Sequence, residues 1–243
     1  MKFGVLFTCF DEIEAVDYSI STLKQVYPDV KIFLVSEKED FSFLEKKYSK
    51  IYTTVEEDTM SSTFKITDRN FLEEEHQKNI KTSVEATLKR ILKAISYCDT
   101  EYLLMMDPDA LVRGELNIPN GVKLLGSKVN KPAPIKTNDV LKKVNGSIFL
   151  DGWGATPGIF ECQTFLKAYN VLIKNEFILD ELCKSFYALY AHDFLIPVLF
   201  ALIGEEESFN PDIIECNRVH EWFYLKNPLV HQFKEFYPKR VNK

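Results

Sequence analysis

The chain has 243 residues, of which 46% are hydrophobic and 13% aromatic, and its formal net charge is −6 at pH 7. That is enough apolar material for a sizeable core, and one compact domain is the simplest organisation at this length. A net negative charge offers no general attraction to phosphate backbones, which excludes nucleic acid as a default partner.

Phe3 to Phe10 is an unbroken apolar run rich in Phe, Val and Leu, the pattern of a strand buried on both faces. Asp11 then precedes a helical pattern that puts Ile13, Val16, Ile20 and Leu23 on one face, and Glu14 three residues on gives capping-box spacing. Lys31 to Ser36 is a second buried strand, so the chain opens β-α-β with parallel strands. Ile51 to Val55 adds a short third strand, and Glu56 to Lys78, with weak periodicity, is expected to be irregular or partly helical. Thr82-Ser83-Val84-Glu85 repeats the capping-box pattern and predicts a helix start, followed by Val84, Leu88, Ile91, Leu92 and Ile95 at helical spacing up to Cys98. Tyr102 to Met106 is the next buried strand and ends abruptly in Asp107-Pro108-Asp109.

Further on, Val122 to Gly126 and Gly158 to Glu161 are expected strands, and between them Asp151 to Gly158 reads as a glycine-rich turn carrying the indole of Trp153. Ile178 to Tyr190 and Phe194 to Ile203 are expected helices, the second stopped by Gly204. The tail is aromatic and basic.

The five cysteines, Cys9, Cys98, Cys162, Cys183 and Cys216, are odd in number and form no CxxC pair, so neither a disulfide framework nor a zinc ribbon is expected. Thr8, Asp11 and Glu12 arrive too early for the apolar core of a secretory signal, and Phe194 to Ile203 is far short of the roughly 20 residues that cross a bilayer. The expectation is a cytoplasmic protein with no transmembrane segment.

In open α/β sheets ligands gather outside the carboxyl ends of the strands, where loops and helix N-termini converge. Phe10-Asp11, Ser36-Glu37 and Asp107-Pro108-Asp109 all fall at such ends. Pro108 fixes its own φ and removes a competing donor, so the two carboxylates can project from a stiff turn. Hard oxygens of this kind suit Mg²⁺ or Mn²⁺, which keep several waters and take phosphate oxygens as remaining ligands. An isolated Asp-Pro-Asp is ordinarily a solvated turn. Its place after a buried strand in a β-α-β arrangement is what gives it chemical weight.

On these residues the chain resembles the GT-A glycosyltransferases, in which a strand delivers a DxD motif to a nucleotide-sugar site, and the resemblance covers most of the chain. It implies an α/β fold of GT-A type, a Rossmann-like nucleotide-binding sheet with flanking helices and a C-terminal acceptor-side region. It further implies one catalytic domain over 1–243, with a nucleotide-binding half (1–115) and an acceptor-side half (116–243). Asp107 and Asp109 would then hold Mn²⁺ or Mg²⁺ against the diphosphate of a nucleotide-sugar, UDP-sugars being the usual donors. Thr8, Phe10 and Asp11 match positions bordering the base and ribose; where many members carry paired acids after the second strand, this chain has Ser36-Glu37. Lys81 and Ser83 stand where such enzymes place a basic and small-residue motif at a helix start. Trp153-Gly154 resembles the glycine-rich loop lining the sugar and acceptor pocket.

His192-Asp193 resembles the place where inverting members set an acid to deprotonate the acceptor hydroxyl, which makes Asp193 the candidate base. An ordinary helix N-cap is the competing reading of the same residue. His231 and Lys234 resemble a C-terminal segment that returns a histidine to the metal and a cation to the diphosphate, with His220 competing for the first role. The implied reaction is glycosyl transfer to a hydroxyl of a glycan, protein or lipid, with inversion and retention both open. A sugar-phosphate nucleotidyltransferase would carry a Gly-rich basic loop after the first strand, which Phe7-Thr8-Cys9-Phe10-Asp11 is not. A haloacid-dehalogenase-like phosphatase would have its acidic motif on the first strand. The remaining rival is a non-catalytic nucleotide-sugar-binding scaffold of the same fold.

Overall fold

The apolar runs of the first hundred residues become strands in the order in which they occur. β1 (Phe3–Cys9), α1 (Ile13–Val26), β2 (Lys31–Ser36), α2 (Phe43–Lys47), β3 (Ile51–Val55), α3 (Glu74–Cys98) and β4 (Tyr102–Met106) alternate strand with helix. The computed structural model describes residues 2–9, 12–56, 74–132, 135–143, 146, 151–185, 191–205, 208–209, 213–215 and 228–231, and for 74–79, 127–132, 135–136, 151–157, 176, 185, 191–194, 208–209, 213–215 and 230–231 only the backbone.

β1 lies between β2 and β4 and is parallel to both, with Val5 opposite Ile32 on one side and Leu104 on the other. β3 adds in parallel outside β2. On the far side of β4 the direction reverses: β7 (Asp151–Glu161) is antiparallel to β4, β6 (Leu124–Pro132) is antiparallel to β7, and β8 (Ser208–Phe209) runs parallel to β6. The order is β3-β2-β1-β4-β7-β6-β8, and a second sheet of order β5-β10-β9 joins β5 (Leu111–Val112), β10 (Leu229–His231) and β9 (Ile213–Glu215). This is the α/β, Rossmann-like sheet with flanking helices that the sequence predicts.

Strand alternation sorts the core onto the two faces of the sheet. Leu6, Phe33, Val35, Leu103 and Met105 pack with Val84, Leu88 and Ile91 of α3. Val5, Phe7, Ile32, Leu34, Leu104 and Met106 pack with Val16, Ile20 and Leu23 of α1. α3 comes so close to β1 that a Cβ on Gly4 would stand 2.4 Å from Cys98 Cβ. Burial pushes the Cys98 thiol up to about 11, and Cys9, Cys98, Cys162 and Cys183 are free, buried thiols.

Several expected boundaries move. α1 has Glu12 as its N-cap, with no side-chain capping bond from it, and Asp11, the expected cap, lies outside the described residues. α3 begins at Glu74, which puts Thr82 and Ser83 inside a helix, because buried Ile80 extends the apolar face one turn upstream of Val84. The expected turn at Asp151–Gly158 is instead the first part of β7, paired to β6 through Gly154 with Ser127 and Trp153 with Lys128, with a register shift between Gly126 and Ser127. Glycines there accommodate an irregular strand rather than reversing it.

α4 (Ile135–Lys143) and α5 (Cys162–Ile173) are additional helices, followed by α6 (Glu176–Ser185) and α7 (Ala191–Leu202). α7 starts three residues before the expected Phe194 and carries Pro197 within it. It ends as expected: Gly204 has φ +79°, its N–H donates to Ala201 O at 3.1 Å, and Glu205 N–H donates to Phe200 O at 3.0 Å, the two bonds of a Schellman stop. Among the described residues no helix is long and apolar enough to cross a membrane.

Candidate nucleotide and metal site

From β1 the chain moves to β2 and β3 on one side and later returns to β4 on the other. The carboxyl ends of β1 and β4 therefore flank a topological switch point, the crevice in which sheets of this kind bind nucleotides. Phe7 is level with Met106, so Thr8 at the end of β1 stands level with Asp107. Ala110 N–H donates to Asp107 O at 3.1 Å and closes the Asp-Pro-Asp segment into a turn. Asp107 is half-buried and Asp109 only 3% exposed.

α1 holds this turn from beneath. The Ser19 hydroxyl, fully buried, donates to Ala110 O. Thr22 Oγ1 accepts Val112 N–H at 3.3 Å, and the Tyr27 hydroxyl accepts Leu116 N–H at 2.5 Å. Three contacts, two from α1 and one from its C-cap Tyr27, thus fix the backbone that follows Asp109. Ser19 lies in the apolar stripe of α1 among Val16, Ile20 and Leu23, and a small hydroxyl in such a stripe is the signal that marks it.

The tail comes back to the same place. Arg113 N–H donates to Pro228 O at 2.6 Å, and β10 pairs antiparallel with β5, Leu229 with Val112 and Val230 with Leu111. Continuing that register sets the backbone of His231 level with Ala110, one residue beyond Asp109. Leu229, fully buried, anchors the strand. β7 supplies the other wall: Met105 is its last partner on β4, opposite Gly158, so the backbone at Trp153 and Gly154 runs beyond the carboxyl end of β4, on the edge that carries Asp107.

His192 and Asp193 are the second and third residues of α7, in its first turn rather than at an N-cap, and their side chains lie outside the described residues. Phe10, Asp11, His220 and Lys234 lie outside the described residues altogether. Lys81 Nζ is 2.6 Å from Asp180 Oδ1 of α6, a hydrogen bond that raises the lysine above its ordinary value. Ser83 is 3% exposed, and its carbonyl accepts the Thr87 hydroxyl within α3.

A buried ion cluster that apolar periodicity does not reveal stands beside the crevice. Arg90 of α3 has 2% of its side chain exposed and joins the carboxyl ends of β2 and β3, with Nη2 2.8 Å from Glu37 Oε1 and Nε 3.0 Å from Glu56 Oε2. Lys93 Nζ adds a contact of 2.5 Å to Glu56 Oε1. Burial by itself would raise the Glu56 carboxyl, but hydrogen bonds from Lys93 and Arg90, with their charges, hold it below its ordinary value. In the sequence, Arg90 interrupts the apolar face made by Val84, Leu88, Ile91 and Ala94.

Among the described residues no three His, Cys, Asp or Glu side chains gather as a closed metal site. Asp107 and Asp109 nevertheless fit an open one, since two hard carboxylates on one turn are the donor set of a Mg²⁺ or Mn²⁺ that completes its shell with waters and phosphate oxygens.

No protein-family model matches the sequence, and no curated protein is a significant match to it. Solved structures do match. The galactosyltransferase LgtC, in complex with donor and acceptor sugar analogues, superimposes with a TM-score of 0.56 at 12% identity over 94% of this chain and 86% of its own. Mouse xyloside xylosyltransferase 1 in its apo form gives 0.54 at 10% identity over 96% and 98%. Core-mannan synthase A from Aspergillus fumigatus, in a Mn/GDP form, gives 0.51 at 9% identity over 85% and 72%. At these identities the likeness is one of architecture, and the architecture is the GT-A fold of those glycosyltransferases.

Proposed function

We propose that the protein is a metal-dependent glycosyltransferase that moves a sugar from a nucleoside-diphosphate sugar, in the usual case a UDP-sugar, to a hydroxyl on a glycan, protein or lipid. The observation that carries this reading is the Asp107-Pro108-Asp109 turn, held by α1 at the switch point between β1 and β4 in a chain with a GT-A fold. Asp107 and Asp109, with His231 as a third ligand, would hold Mn²⁺ or Mg²⁺, which when bound offsets negative charge on a leaving diphosphate.

The chain's own residues would do the rest. Thr8, Phe10 and Asp11 border the nucleoside, and the Lys234 ammonium faces the diphosphate. Lys81 and Ser83 serve the donor side, Lys81 after exchanging its contact with Asp180. Trp153 and Gly154 offer an aromatic face and close backbone approach to the sugar. Asp193, in the first turn of α7 beside His192, takes the proton of the acceptor hydroxyl.

The test is a panel of UDP-, GDP-, CDP- and ADP-sugars incubated with Mn²⁺ and then with EDTA. One donor should be hydrolysed slowly, and the chelator should stop the reaction. Calorimetry that finds no Mn²⁺-supported binding of any nucleoside diphosphate would sink the proposal.

A further inference from the structure

Glu37 occupies the position after β2 from which an acid would be expected to meet the nucleoside, yet 1% of its side chain is exposed and Arg90 faces it at 2.8 Å. The Glu37 N–H donates to Cys9 O at 3.1 Å, so the residue ties the end of β2 to the end of β1. Glu56 N–H donates to Ser36 O at 2.8 Å and ties β3 to the same point. The Ser36 hydroxyl accepts the N–H groups of Lys38 at 3.3 Å and Glu39 at 3.0 Å, turning the chain immediately after β2. Arg90 reaches from α3 into this junction and grips both carboxylates at once. Two acids and two bases, with Lys93 as the second base, leave the cluster balanced in charge.

We propose that Arg90, Glu37 and Glu56 form a positioning clamp that sets the nucleoside half of the crevice, so that Glu37 acts through the backbone it fixes and not as a ligand to the base. The inference rests on the nucleotide-sugar reading above. Its physical basis is division of labour at the switch point: the Asp-Pro-Asp turn is held by α1, whereas the ends of β1, β2 and β3 are held by α3. The two halves of the ligand then depend on different supports. The fork of a guanidinium is required because one planar group must meet two carboxylates in different directions; an ammonium is a point charge that holds one of them well.

The experiment separates those halves with two probes, both in the presence of Mn²⁺: the nucleoside diphosphate that binds best among UDP, GDP, CDP and ADP, and inorganic pyrophosphate. Arg90→Lys should weaken the nucleoside diphosphate about tenfold and leave pyrophosphate within about twofold of the wild type. The double change Arg90→Lys with Glu37→Gln removes the carboxylate left without its arm; it should recover thermal stability without recovering nucleoside diphosphate affinity. Should Arg90→Lys alone melt below the assay temperature, Glu37→Gln carries the same expectation, weaker nucleoside diphosphate with pyrophosphate intact. Equal losses for both probes, no loss for either, or affinity that returns in step with melting temperature each overturn the clamp. A wild-type protein that binds neither probe overturns the nucleotide-sugar reading itself, and the clamp with it.

Discussion

β4 separates two regions assembled by different rules. Toward β1, β2 and β3 the strands are parallel and short, β1, β2 and β4 are buried on both faces, and the Asp-Pro-Asp turn, Glu37 and Glu56 sit where strands end. Toward β7 and β6 the strands are antiparallel and longer, the register shifts, and the site is approached by the middle of a strand, by the first turn of α7 and by a tail strand that returns from more than a hundred residues away. In the first region, placing a ligand contact and closing the core are one event. In the second, the two are separable, so substitutions on α7 should reach the chemistry without reaching nucleotide binding.

The largest expected effect tests the first region. Asp109→Ala should abolish Mn²⁺-supported nucleoside diphosphate binding and lower transfer roughly a thousandfold, the several kcal/mol that a bound metal supplies. Nucleotide binding that is indifferent to metal and unchanged in the variant would break the comparison at its root. Asp193→Asn tests the second region. If the carboxylate is the base, kcat should fall about a hundredfold with donor affinity unchanged; full activity would return Asp193 to the role of a helix-end residue.

The same division decides how much of the fold and of the site is legible in the sequence. A parallel strand buried on both faces is a contiguous apolar run, and β1, β2 and β4 are legible as such within a residue or two, as are the half-exposed edge strand β3 and the Asp-Pro-Asp at the end of β4. The face of α1 made by Val16, Ile20 and Leu23 is equally plain. The second part of β7, from Gly158 to Glu161, is legible, but the first part is not, because Gly152, Gly154 and Pro157 carry the signals of a turn while pairing with β6 overrides them. β5 and β10 have two and three residues and no periodicity of their own, so only tertiary pairing brings the tail back to Asp109. Arg90 and Ser19 were passed over for another reason: a pattern that counts apolar residues treats the polar one among them as noise.

Ser19→Ala sharpens the comparison on the scale of one hydrogen bond. The lost hydroxyl leaves Ala110 O buried without that donor, which costs about 1–2 kcal/mol. For a chain of this size the melting temperature should fall by roughly 3–6 °C. Because the same bond steadies the turn after Asp109, the apparent affinity for Mn²⁺ in the presence of nucleoside diphosphate should weaken a few-fold. A drop in stability with metal affinity untouched would show that α1 supports the fold and not the site.

The smallest effect is in pH dependence and isolates Glu56. Its carboxyl lies below the ordinary value of 4.5 in the folded protein. A depressed carboxylate stabilises the folded state above its unfolded pKa, and that contribution is lost as pH falls through the folded value. Chemical denaturation of wild type and Glu56→Gln should therefore differ most at neutral pH, and the gap should close as pH drops below about 4.5. Two stability curves that stay parallel through this range would mean that Arg90 and Lys93 do not bias the protonation of Glu56. The hold of α3 on the end of β3 would then rest on apolar packing, with Arg90 and Glu37 still joined at the end of β2.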